Sequence, residues 1–246
     1  PMTTAVESRL RARRTFHFFQ TLNAGRFNRP GGTRTGSVLP RVSLRPIGAF
    51  EDRGHLTVMK GQDIVVLLKL ASLEDDAKDV GNESAPHALA ASEDPYSVRG
   101  LAAALGISKT EISASLNRSI ASGLAIKDRK TGRPKPSRRH LREFIIHGLK
   151  FVFPAKPGAM QRGLPTGYAA PVLRESLHSA GSLIYVWPYA HAKELGQLVD
   201  PLFKSVPEAC DKDARLYAYL ALVDAIRIGN QRESKHAADL LIQRLG

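Results

Sequence analysis

The chain has 246 residues, 43% of them hydrophobic, with 36 Lys and Arg against 23 Asp and Glu for a net charge of +13. That length allows more than one core, and the charge favours a polyanionic partner. No apolar run approaches the roughly 20 residues needed to cross a bilayer and no ordinary secretory signal is evident, while a lone cysteine, Cys210, excludes an internal disulfide and fits a reducing cytoplasm.

Residues 1–58 hold ten Arg, no Lys and three acidic residues among many Gly, Pro, Thr and Ser, without sustained periodicity. They read as a flexible extension. An arm that wraps a polyanion is the alternative, and the stretch superficially resembles a transit peptide. Met59-Lys60 directly precedes the first strong helix, so an upstream-translated leader is a further reading. From Lys60 to Leu73 apolar residues fall on almost every side, which predicts a largely buried helix. Residues 74–94 are acidic, contain Pro86 and read as an exposed connection.

Two short helices follow. Ser97 is a good N-cap, with Val98, Leu101, Ala102 and Leu105 on one face, and Gly106 ends the helix because Gly adopts a positive φ at little cost. Ser108 and Glu111 form a capping-box pattern that starts the second helix, 109–122, with Ile112, Leu116 and Ile120 as its buried stripe. Thr110, Ser113, Ala114, Asn117 and Arg118 are left on or beside the outward face, and all are small, polar or basic. The segment Lys127 to Lys135 reads as a basic hairpin with Gly132 near its tip, its return strand poorly marked because Pro134 and Pro136 lack backbone donors. Ser137 to Gly148 is another capped helix, on which Arg138, Arg139 and Arg142 extend the basic surface.

The run Leu101-Ala102, Leu105-Gly106-Ile107-Ser108, Ile112-Ser113, Leu116, Arg118 and Gly123-Leu124, with that hairpin behind it, resembles the MarR-like winged helix of bacterial transcriptional regulators. The likeness covers just under a third of the chain, and Ser119 departs from it, since such proteins usually carry a large apolar residue there. It implies a winged helix-turn-helix domain at 59–148 whose partner is double-stranded DNA. Helix 109–122 would enter the major groove with Thr110, Ser113 and Asn117 toward base edges, Asn being suited to adenine. Lys109 and Arg118, with wing residues Lys127, Arg129, Lys130, Arg133 and Lys135, would hold phosphates or reach a minor groove, and Ser108 at the head of the helix is counted with the DNA-binding residues.

A plain helical hairpin, or a winged helix used for protein contact, is the alternative. Charge placement argues against it. Residues 97–150 carry 12 basic against 3 acidic groups, whereas 59–96 carry 3 against 8 and 151–246 carry 11 against 9, so the excess coincides with the motif, where counterion release would supply affinity.

Residues 149–246 read as a second, mostly helical domain with a short strand pair. The runs Leu149 to Pro154 and Leu183 to Pro188, each apolar and stopped by Pro, are expected to pair, with the Gly/Pro-rich stretch 156–168 as a loop between them. Short helices are expected at 170–177 and 201–205, then long ones at 213–228 and 232–245. The apolar stripes of these last two suit homodimerisation, as symmetric regulators need, and internal packing suits them equally. The chain is similar to a group of poorly characterised winged-helix proteins with such a C-terminal part.

Mainly α with a small β component is thus the expected class. An enzyme is not expected. The histidines are scattered, with no H-E-x-x-H, P-loop or G-x-G-x-x-G, so no catalytic, metal or cofactor residue is assigned. Cys210 lacks the cationic neighbours of a reactive thiol. A DNA-binding repressor is the leading expectation. An antitoxin-like component, whose C-terminal part holds a protein partner, is the other.

Overall fold

The apolar run after Met59 forms α1 (Gly61–Asn82), with Ile64 through Leu68, Leu70 and Ala71 buried. It extends well past Leu73, so Glu74, Asp75, Asp76 and Asp79, expected in an exposed connection, lie on its last turns. The reason is ion pairing. Arg138 donates to Glu74 (3.1 Å) and Asp75 (2.6 Å), and Arg215 pairs with Asp76 and Asp79. The computed structural model describes residues 49–52, 55–82, 94–177 and 183–246, all within the second of two units, Pro1–Leu44 and Arg45–Gly246. Most of the expected N-terminal extension lies outside the described residues; its last part is an antiparallel hairpin, β1 (Ala49–Asp52) with β2 (His55–Val58).

Helix α2 (Val98–Leu105) starts where Ser97 accepts a hydrogen bond from the Gly100 N–H and stops at Gly106, whose φ of 62° only glycine adopts without strain. The turn Gly106-Ile107-Ser108 leads directly into α3 (Lys109–Ala121). A two-stranded hairpin follows, β3 (Ala125–Lys127) with β4 (Pro134–Pro136), in the register Ala125 to Pro136 and Lys127 to Pro134. Prolines are tolerated there because a two-stranded ribbon consists of edges. Helix α4 (Arg138–His147) returns over the core through Leu141 and Ile145.

Beyond Gly148 the expected strand at 149–154 is instead a single helical turn, α5 (Leu149–Val152). The strand that pairs with β6 (Tyr185–Pro188) is β5 (Met160–Thr166), from within the expected loop. A third strand, β7 (Leu195–Leu198), pairs antiparallel with β5 and parallel with β6, so the three close on themselves. Gly163 is required in β5, since a Cβ there would meet the Trp187 carbonyl oxygen at 1.9 Å. Short α6 (Pro171–Arg174) lies inside the range expected for it, and α7 (Val206–Lys212) starts just after the 201–205 expected to be helical. Helix α8 (Ala214–Ile228), capped by Asp213, is buried on nearly every side, and α9 (Gln231–Leu245), opened by an Asn230–Glu233 capping box, packs on α8 and α4.

The stretches 59–148 and 149–246, expected to be separate domains, share one hydrophobic core running from Met59 to Leu245. Helix α1 packs against α3 and β4 on one side of that boundary and α8 on the other. Its polar residues join the halves as well: Lys69 pairs with Asp213 at 2.8 Å, and Tyr219 donates to Asp75 at 2.6 Å. The molecule is mainly α with a small β component.

Candidate functional site

Two neighbouring elements, α3 and the β3–β4 hairpin, bring together most of the residues singled out in the sequence. On α3, Lys109, Thr110, Ser113 and Asn117 are exposed, and the last three share one face at helical spacing. Ser108 is exposed and its hydroxyl accepts from the Glu111 N–H at 3.3 Å, fixing the start of the helix. Only this half of the expected capping box forms. The Glu111 carboxylate instead receives Gln62 Nε2 and Lys60 Nζ, and these hydrogen bonds hold its pKa below the usual carboxylate range.

Arg118 does not join that face. It is only 6% exposed, and its Nε and Nη2 donate to Asp63 Oδ2 (2.9 Å) and Oδ1 (2.6 Å), so it has no reach toward a phosphate. Its expected exposed position fails because Asp63, on the first turn of α1, is fully buried and a buried carboxylate needs a charged partner. The inner face also differs from expectation. Ile112, Ser115, Leu116 and Ser119 are buried, while Ile120 is half-buried. The hydroxyls of Ser115 and Ser119 find no hydrogen-bond partner among the described residues.

On the hairpin, Lys127, Arg129, Lys130 and Lys135 are exposed and, like Lys109, pair with no carboxylate among the described residues. The tip is built by Asp128, which accepts from the Thr131 N–H (3.0 Å) and hydroxyl (2.6 Å); these bonds lower its pKa. Arg133 is exposed but engaged: it pairs with Asp94 at 3.0 Å and lies 5.0 Å from the Tyr96 ring centroid. The hairpin is thereby tied to the turn that precedes α2. Arg139 on α4 is exposed, but Arg138, expected on the basic surface, is drawn inward by Glu74, Asp75 and the Ala71 carbonyl.

Asp63, Tyr96 and Asp94 were not singled out in the sequence. One signal was available for Asp63: a lone carboxylate inside a helix apolar on every side demands a cation from elsewhere. Tyr96 and Asp94 left none.

Chemically, the arrangement is an outward face of short hydrogen-bonding side chains beside five cations that have no carboxylate partner among the described residues. Such a surface can neutralise regularly spaced anions while leaving donors and acceptors for a neutral edge. Among the described residues no group of His, Cys, Asp and Glu is disposed to hold a metal. Burial pushes the Cys210 thiol well above its usual range, the opposite of what a reactive cysteine requires. No known protein family, characterised protein or solved structure matches the chain.

Proposed function

We propose that this chain is a sequence-specific double-stranded DNA-binding transcriptional regulator of the MarR-like winged helix-turn-helix type, acting as a repressor. The observation that carries the reading is the juxtaposition on α3 and the hairpin. Thr110, Ser113 and Asn117 form an exposed, small polar face, flanked by Lys109, Lys127, Arg129, Lys130 and Lys135, none of them paired with a described carboxylate. Helix α3 enters the major groove, where a side-chain amide reads adenine bidentately, and the hairpin serves as the wing along the phosphates. The excess of 12 basic over 3 acidic groups in residues 97–150 supports the same surface even after Arg118 and Arg138 are set aside as inward ion pairs.

A homodimer belongs to the proposal, because paired half-sites call for a symmetric protein. The stripes of α8 and α9 that suggested it are used inside the chain: Leu216, Leu220 and Val223 on α8 and Ala237, Leu241 and Leu245 on α9 are buried. The dimer surface therefore lies elsewhere.

The decisive experiment is selection from a random duplex pool, followed by titration of the selected duplex over a range of salt. A recovered sequence motif, with affinity falling steeply as salt rises, is the expected result. Recovery of no motif, with binding no better than that of a neutral protein, would refute the reading.

A further inference from the structure

The inner face of α3 mixes apolar and small polar side chains. Ile112 and Leu116 are buried and Ile120 packs half-buried against the core, but two turns on from Ile112 the chain places Ser119, and both Ser115 and Ser119 are buried with hydroxyls that have no partner among the described residues. Small side chains admit a close approach but specify rotation poorly, because they interdigitate little. Something else must hold the angle at which the helix presents its outer face.

Two polar attachments do so, and both reach the start of α1. Arg118 grips both oxygens of Asp63, and Asp63 is itself pinned by accepting the Lys60 N–H at 2.8 Å. Earlier on α3, Glu111 takes Gln62 Nε2 and Lys60 Nζ. Positions 111 and 118 are seven residues apart, which on a helix means nearly the same side, and their side chains converge, with Arg118 Nη2 3.9 Å from Glu111 Oε2. The two attachments thus form one polar cluster that fixes the rotation of α3 against the start of α1. Each point also sits next to a residue of the outward face: Thr110 precedes Glu111, and Asn117 precedes Arg118.

We infer that the buried Asp63–Arg118 pair, with Glu111 as its second point, is a positioning device that decides which base edges Asn117 and Thr110 meet, and that it contributes to sequence discrimination without touching DNA. This rests on the reading that α3 lies in the major groove. Arg118 therefore belongs to the specificity of the surface although no part of it faces outward. A planar guanidinium bound at two oxygens sets an angle as a single ammonium does not, so lysine is a poor substitute.

The test uses the full chain, the duplex selected by the wild type, and a scrambled duplex of equal length. Removing one partner leaves the other charge buried and invites unfolding. The informative variants are therefore the double substitution Asp63→Asn/Arg118→Met and the single Arg118→Lys. In the double variant the amide keeps an acceptor for the Lys60 N–H, and Met keeps much of the stem volume. Arg118→Lys keeps the charge and loses the two-point geometry.

In both, the ratio of selected to scrambled affinity is expected to fall tenfold or more, while scrambled-duplex affinity stays within twofold and the salt dependence keeps its slope. A folded variant that discriminates like the wild type would show the pair to be structural only and overturn the inference. A salt slope shallower by about one, with both duplexes weakened alike, would make Arg118 a phosphate ligand and overturn it equally. If the wild type selects no sequence at all, the regulator reading itself fails, a result distinct from either.

Discussion

Ser115 and Ser119 set two buried hydroxyls against the core with no partner among the described residues, a burden of about 1–3 kcal/mol for each such group. Ser115→Ala or Ser119→Ala alone is therefore expected to stabilise the protein by about 1–3 kcal/mol, read as a higher urea midpoint with unchanged slope. A lower midpoint would mean that the hydroxyls bond to something in solution. At the opposite pole, Asn117 is exposed and its loss leaves the fold untouched. Asn117→Ala is expected to cost about 1–3 kcal/mol on the selected duplex and little on a scrambled one. The outward positions 110, 113 and 117 were legible in the sequence because a helix with an apolar stripe leaves its other face to solvent. Arg118 was not, since a charged side chain reads as surface until its partner is known, and Asp63 lies 55 residues away.

The hairpin combines a self-supported tip, Asp128 with Thr131, and a tether in which Arg133 meets Asp94 and Tyr96. Its cations accordingly divide by role. Removing Lys130 or Arg129 is expected to weaken all duplexes alike and to reduce the salt slope by about one per residue. Removing Arg133 is expected to act through the posture of the hairpin, so that Tyr96→Ala reproduces part of its effect. Anisotropy titrations at several salt concentrations separate the two, and equal slopes for the Lys130→Ala variant and the wild type would count against the wing. Element identity was readable wherever capping residues and period agreed, as in α2 and α3, and α4 forms over the expected residues although the Ser137 side chain makes no capping bond. It was not readable at β5, where Gly163 and Pro165 look like loop residues. There the glycine answers to the Trp187 backbone opposite, a contact no local pattern announces. Leu149–Val152 erred in the other direction, its aromatic and branched residues suggesting a strand where a single helical turn buries Leu149.

For the whole molecule, the shared core matters more than the boundary at Gly148. A fragment ending there strips α8 and α9 from α1 and α4, exposing apolar surface and leaving Asp75 without Tyr219. Such a fragment is expected to lose cooperative thermal unfolding by calorimetry; a sharp transition would establish an independent domain instead. Alkaline pH tests the same core. Burial raises the pKa of both Cys210 and Tyr219, so the unfolded chain releases protons that the folded chain keeps. Stability is then complete below the unfolded values and declines as pH climbs past about 8.5 for the thiol and 10 for the phenol, by up to ~1.4 kcal/mol per pH unit for each. Melting temperatures measured from pH 7 to 11 should fall accordingly, and Tyr219→Phe should flatten the upper part of the curve. Continuity of the core was illegible in the sequence, because apolar stripes show that a helix is covered without saying by what.

Helix α1 meets α3 at Asp63 and the C-terminal stretch at Lys69, Ser72 and Asp75, about 18 Å along its own axis. Its far end is shared, because Arg138 of α4 meets Asp75 together with Tyr219. A chimera that grafts a foreign α2, α3 and hairpin onto this protein inherits an Asp63 without its guanidinium, and one that replaces residues 149–246 orphans Lys69 and takes Tyr219 from Asp75. The smallest portion that can be exchanged between such proteins as an intact module therefore includes α1 with whichever half is moved, and redesign of its target preference has to begin at residue 63.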